Sequence, residues 1–133
     1  MPVAVSVAVP ATLPESPFPQ VVIAAELRFD PALPYGVALA FPPQATGEEI
    51  VWWFGRDLLD AGCRAPAGEG DVRVEPGRHG RVLVTLGSRR DRAVVSLPSG
   101  TVADFLTGAY RAVPVGAESE HLDLAPVLAR LLA

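Results

Sequence analysis

Chemistry in this 133-residue chain could pass through two histidines, one cysteine, a group of carboxylates near position 60 and a run of arginines. His79 and His121 lie far apart, and neither has a ligand partner at i+2 or i+4 in a convincing metal-binding motif, so both read as surface histidines. Cys63 is alone, which excludes an intrachain disulfide and a thiolate zinc site within one chain. As a nucleophile it would need a base to lower its pKa, and Arg64 beside it would help slightly; a small apolar packing residue is the simpler reading. Asp57, Asp60, Glu69 and Asp71 could supply an acid and a base, yet their spacing suits a solvated helix face, a cap and a turn. Gly68-Glu69-Gly70-Asp71 looks like a phosphate loop, but it follows a proline turn, enters a strand and carries negative charge where a phosphate would sit. No catalytic set, cofactor site or metal site emerges, and the expectation is a protein that is not an enzyme.

Two other features could bind a partner. Between Arg73 and Arg92 stand Arg73, Arg78, Arg81, Arg89, Arg90 and Arg92, opposed within that window by Glu75 and Asp91. Such a patch can neutralise phosphates and stack on bases, so single-stranded nucleic-acid binding is the alternative function; solvated hairpin tips and guarded strand edges are the competing reading. No aromatic residue interleaves the arginines. The second feature is Trp52-Trp53-Phe54-Gly55-Arg56. On a strand the two tryptophans must point to opposite faces, so either both are buried or one anchors an interface, and Trp52, Trp53, Phe54 and Arg56 form the candidate protein-interaction surface.

Composition bounds the rest. Half of the residues are hydrophobic and a fifth charged, which suits a globular domain rather than a disordered chain despite 14 prolines. The length fits one domain spanning 1–133 with a sizeable core. All 11 basic residues are arginine, and the net charge of −4 argues against general attraction to a polyanion. The apolar start lacks a basic leader and is broken by Pro10 and Pro14, and no apolar run approaches bilayer length. A cytoplasmic setting without membrane insertion is expected.

The elements that must position these residues are short. Val3, Val5, Val7 and Val9 alternate with small or polar residues and predict a strand ended by Pro10. Further strands are predicted over 21–28, 35–41, 49–54, 71–75, 81–87 and 93–97, with the Asp30-Pro31, Pro42-Pro43 and Pro76-Gly77 pairs as punctuation. Between the fourth and fifth strands, 56–61 suits one or two helical turns closed by Gly62 as a left-handed cap. Ser99 is placed to cap a helix whose Val102, Phe105, Leu106, Ala109 and Tyr110 form an apolar stripe, and Asp123 to cap another carrying Leu124, Val127, Leu128, Leu131 and Leu132. About seven mostly antiparallel strands, a short central helix and two C-terminal helices make an α+β fold.

Several segments are distinctive: Ala25-Glu26-Leu27-Arg28-Phe29-Asp30, Pro34-Tyr35-Gly36-Val37, Trp52 followed by Phe54-Gly55-Arg56-Asp57-Leu58-Leu59 and Gly62, and Pro66, Gly68 and Gly70-Asp71-Val72-Arg73-Val74. Together they resemble the SsgA-like sporulation and cell-division proteins of actinobacteria. The ending agrees through Phe105-Leu106, Val113-Pro114, Gly116, Glu118 and Asp123. The family often has tyrosine at Phe29, aspartate at Leu33, alanine at Gly55 and tryptophan at Glu75. The resemblance implies no catalysis, metal or cofactor. It implies a cytoplasmic adaptor or regulator, recruited to division septa, that helps place septa and cell-wall synthesis in sporulation. It further implies protein partners, such as the tubulin-like FtsZ or other family members, a homotrimer, and a β-rich fold similar to the Whirly single-stranded nucleic-acid binders.

Overall fold

The computed structural model describes residues 4–125, 128 and 129. Its order is β1 (Val5–Ala11), β2 (Ile23–Phe29), β3 (Gly36–Phe41), α1 (Pro43–Thr46), β4 (Ile50–Gly55), α2 (Arg56–Gly62), β5 (Val72–Pro76), β6 (Arg81–Gly87), β7 (Arg92–Pro98), α3 (Ser99–Ala112) and α4 (Glu118–His121). The seven strands form two antiparallel meanders, β1-β2-β3-β4 and β5-β6-β7. This is the expected α+β fold, and its parts follow from alternation: β6 turns Val82, Val84 and Leu86 inward, and β2 turns Ala25, Leu27 and Phe29 inward.

The meanders meet where β1 ends. Thr12 and Ser96 exchange backbone hydrogen bonds of 3.1 and 2.8 Å, and Arg81 braces the junction by donating from Nε to Ser96 Oγ at 2.8 Å and from Nη2 to Ser96 O at 2.9 Å. At the far side α2 spans from the end of β4 to β5. The inner sheet faces and α3 enclose one continuous core that includes Val9, Leu27, Leu39, Leu59, Val84 and Phe105.

Three local expectations need correcting, and two short helices add to them. Pro10 does not end β1; it pairs with Ala24 and the strand runs on to Ala11, since a proline is tolerated on a strand with only one ladder partner. Gly62 is not left-handed but the last residue of α2, followed by Cys63 at φ −71°. Ser99 makes no capping bond; Pro98 holds the cap position, and the Ser99 N–H donates to Gly80 O at 2.8 Å. The single-turn helices α1 and α4 were not anticipated, because four residues carry no readable period. Asp123 Oδ1 accepts from the Ala125 N–H at 3.0 Å, the geometry of the expected cap, whereas Val127, Leu131 and Leu132 of the helix it would open lie outside the described residues.

Candidate functional site

β4 is an edge strand, paired with β3 alone among the described residues. Trp52 faces Leu39 across the ladder and packs on the core, while Trp53 faces Ala38 on the opposite side of the sheet. Ala38 is fully buried there, beside a half-buried Trp53 whose ring also lies near Gly36. The neighbouring Arg28 forks onto Glu49 at 3.1 and 3.0 Å and also contacts Glu26, and these bonds hold both carboxyls below the usual carboxylate range. The outer sheet face thus combines small residues, one tryptophan and an exposed ion-pair network of modest stabilising effect.

The other two members of the expected interaction surface lie inside. Phe54 is 9 % exposed and Arg56 1 %. Arg56 opens α2, where its N–H donates to Tyr35 O at 2.8 Å, and its guanidinium sits over the rings of Phe29 (5.1 Å) and Tyr110 (4.4 Å). Nη1 donates to the carbonyls of Val113 (2.8 Å) and Ala109 (3.2 Å), and Nη2 lies 3.6 Å from the Glu118 carboxylate. Glu118 in turn accepts from the Gly116 N–H, and backbone N–H bonds, its own foremost, hold its carboxyl below the usual range. Burial, then the 2.9 Å hydrogen bond to Asp60, push the Tyr110 phenol up to about 12. Arg56 therefore ties α2 to the end of α3 and to α4 and is withdrawn from any surface. A sequence signal existed: a cation in the first turn opposes the helix dipole, an arrangement that calls for tertiary partners.

The arginine run does not form one patch. Successive hairpins of a meander turn at opposite sheet ends, so Arg78 and Arg81 stand roughly 20 Å from Arg89, Arg90 and Arg92, the length of seven extended residues. Arg81 is engaged at Ser96, and Arg73 lies 3.5 Å from Glu75. A continuous phosphate track is absent. His79 holds a left-handed turn position (φ 56°) in the first hairpin. Cys63 donates from Sγ to Leu59 O at 3.2 Å, and burial pushes its thiol up, away from the thiolate a nucleophile needs. No group of three or more potential metal ligands occurs among the described residues. No helix among them is long and apolar enough to cross a membrane.

A cleft of about 500 Å³ opens between the sheets at the end where β4 begins and β6 turns into β7. Its walls are apolar, with Trp52 among them, and Asp91 and Arg92 stand at its lining beside Gly87. Gly87 has φ 103°, and a Cβ there would strike the Asp91 carbonyl, so the turn carrying these charges depends on glycine.

A sequence profile described as "Streptomyces sporulation and cell division protein, SsgA" matches residues 23–118. Sporulation-specific cell division protein SsgB of Frankia casuarinae is 41 % identical over 113 residues, covering 83 % of this chain and 78 % of that protein. SsgB of Streptomyces coelicolor is 41 % identical over 114 residues, covering 84 % and 82 %. A solved structure, from work relating SsgB mutations to longitudinal cell division during sporulation of S. coelicolor, superposes with a TM-score of 0.80 at 36 % identity, covering 90 % of this chain and 96 % of that one. An SsgA-like sporulation-specific cell division protein from Thermobifida fusca gives 0.74 at 27 % identity, covering 97 % and 95 %. With the profile spanning most of both meanders and α3, the chain belongs to the SsgA family of sporulation and cell division proteins.

Proposed function

We propose that this chain is a noncatalytic adaptor in the placement of sporulation septa and of cell-wall synthesis, recruited from the cytoplasm to the septum through protein partners. The observation that carries the reading is the SsgA-family match across residues 23–118, with relatives named for sporulation-specific cell division. The raised thiol of Cys63, held by its bond to the Leu59 carbonyl, is consistent with a chain that binds rather than reacts. The tubulin-like FtsZ or another family member is the proposed partner. In a sporulating actinomycete, a fluorescent fusion is expected to form foci at future or active septa. Diffuse fluorescence throughout development, with normal septation in a deletion strain, would overturn the proposal.

The adaptor is further proposed to be a cyclic homo-oligomer of three subunits that buries apolar strand surface between subunits, with Trp53 as the candidate anchor. Light scattering after size exclusion is expected to give the mass of three chains for the native protein. Trp53→Ala should lower that mass with unchanged far-UV circular dichroism, whereas Trp52→Ala, which removes a core contact, should unfold the chain at lower urea. A monomer at tens of micromolar, a range in which weak oligomers still associate, removes the assembly from the proposal.

A further inference from the structure

The cleft between the sheets joins two properties that are separate elsewhere on the surface. Leu13, Ile23, Phe41 and Trp52 wall it from the first sheet, and Leu86 and Val95 wall it from the second. The β6–β7 turn lines it through Gly87, Asp91 and Arg92 and carries Arg89 and Arg90 between them. None of these three arginines has an ion-pair partner among the described residues, whereas Arg28, Arg56, Arg64 and Arg73 each lie within 4.0 Å of a carboxylate. Asp91 alone offsets them at the rim. Beside the cleft β4 starts at Ile50, which is 40 % exposed and lies on the sheet's edge strand among the described residues.

We infer that this cleft receives an extended, acidic segment of a partner protein. One aromatic or branched aliphatic side chain of that segment enters between the sheets, and carboxylates on either side of it meet Arg89, Arg90 and Arg92. Charge complementarity sets the occupant: the turn beside this apolar slot carries three arginines against one aspartate, and carboxylate is the anion a protein segment carries alongside an apolar anchor. The outer edge of β4 at Ile50, a strand that pairs with β3 alone among the described residues, offers backbone donors and acceptors to an extended chain, which a compact metabolite could not use as a ladder. Nucleic acid fits less well, because the turn has no aromatic platform and Trp52 packs inward on the core. A second copy docking by two-fold symmetry would set the arginine rims against each other. The proposed trimer is anchored at Trp53, on the opposite side of β4 from the Trp52 that lines the cleft, and leaves the cleft open. The inference rests on the reading of this chain as an adaptor for protein partners.

The test selects short random peptides, displayed on phage, against the full chain and titrates the enriched sequences with a fluorescent label. Enriched peptides are expected to place an aromatic or branched residue between acidic ones. Combined Arg89→Gln, Arg90→Gln and Arg92→Gln should weaken binding at least about tenfold, the summed effect of three exposed charge pairs. Ile50→Asp should also weaken it, and Arg78→Gln, at the opposite sheet end, should leave it unchanged. The assignment is overturned by failure to enrich any peptide, by enriched peptides lacking the pattern, or by equal binding to the triple variant. It is also overturned if labelled oligothymidylate binds through the same arginines, or if Ile50→Asp splits the oligomer, which would mean a second copy fills the cleft. Septal foci of the native fusion separate the two proposals. Foci with a failed selection remove the cleft assignment alone, and absent foci remove the adaptor reading beneath it.

Discussion

Replacing Arg56 with methionine is expected to destabilise the fold by about 3–5 kcal/mol, the range seen when one partner of a buried charged contact is removed. The measurement is a urea titration, where the midpoint should fall at nearly constant slope. Methionine keeps much of the volume between Phe29 and Tyr110, so the loss is mainly polar. The Val113 carbonyl loses its donor at the end of α3, and an unsatisfied buried group costs about 1–3 kcal/mol, while the Ala109 carbonyl loses its second donor and keeps the Val113 N–H at 3.0 Å. Buried ion pairs can often be replaced by apolar residues without harm, because both partners are exchanged together. Here two of the partners are backbone, which no substitution removes. Arg56→Lys should recover only part of the loss, since an ammonium has neither the planar stacking face nor the fork. Glu118→Gln should have a smaller effect than either, its contact with Nη2 being 3.6 Å. A midpoint for Arg56→Met within experimental error of the native value would show that α2, α3 and α4 are held by something else.

Gly62→Ala is expected to destabilise by about 2 kcal/mol or more, the cost of forcing an extra methyl into packed structure. Helix propensity alone predicts the reverse, a gain of about 1 kcal/mol for alanine over glycine in a helix. The contact decides the sign. A Cβ on Gly62 would fall inside the Val74 side chain and 2.9 Å from the Val74 carbonyl carbon, and Val74 is fully buried in β5. Relief would have to come from α2 lifting off β5, the same approach by which α2 bridges the two meanders. Gly100→Ala, in the first turn of α3 with nothing within 4 Å of the added methyl, is the control and should be neutral or slightly stabilising. Thermal melts of the two variants moving in the same direction would contradict this account.

These two residues also mark where reading the sequence succeeds and where it stops. Alternation located β6 with both ends correct, because Val82, Val84 and Leu86 face a core while Arg81, Leu83 and Thr85 do not. The stripe of α3 was legible for the same reason, and its Val102, Phe105, Leu106 and Ala109 are buried as expected. Gly62 was recognised as special, but a glycine kept for close approach and one kept for a left-handed turn look alike in a sequence. Arg56 seemed a surface residue because its partners come from β2, α3 and α4, up to 62 positions away along the chain. The arginine run misled in the opposite way, since nearness in sequence becomes distance in space when a strand separates two turns. For the cleft, the sequence held the charges and the apolar residues but not their meeting, which depends on how the two meanders are set against each other.

Among the described residues every hydrogen-bonded pair of strands joins neighbours in sequence, and the Thr12–Ser96 bridge brings β1 to β7. Each meander can therefore assemble by closing short loops, at little entropic cost per step, while the long closure is concentrated in a single event. Arg81, whose guanidinium reaches Ser96 across β6 and β7, is already supplied by the second meander before that event and presents the Ser96 carbonyl in place for Thr12. Connectivity thus leaves the strand pairings of each meander local, whereas the core, the α2 bridge and the cleft need both halves at once.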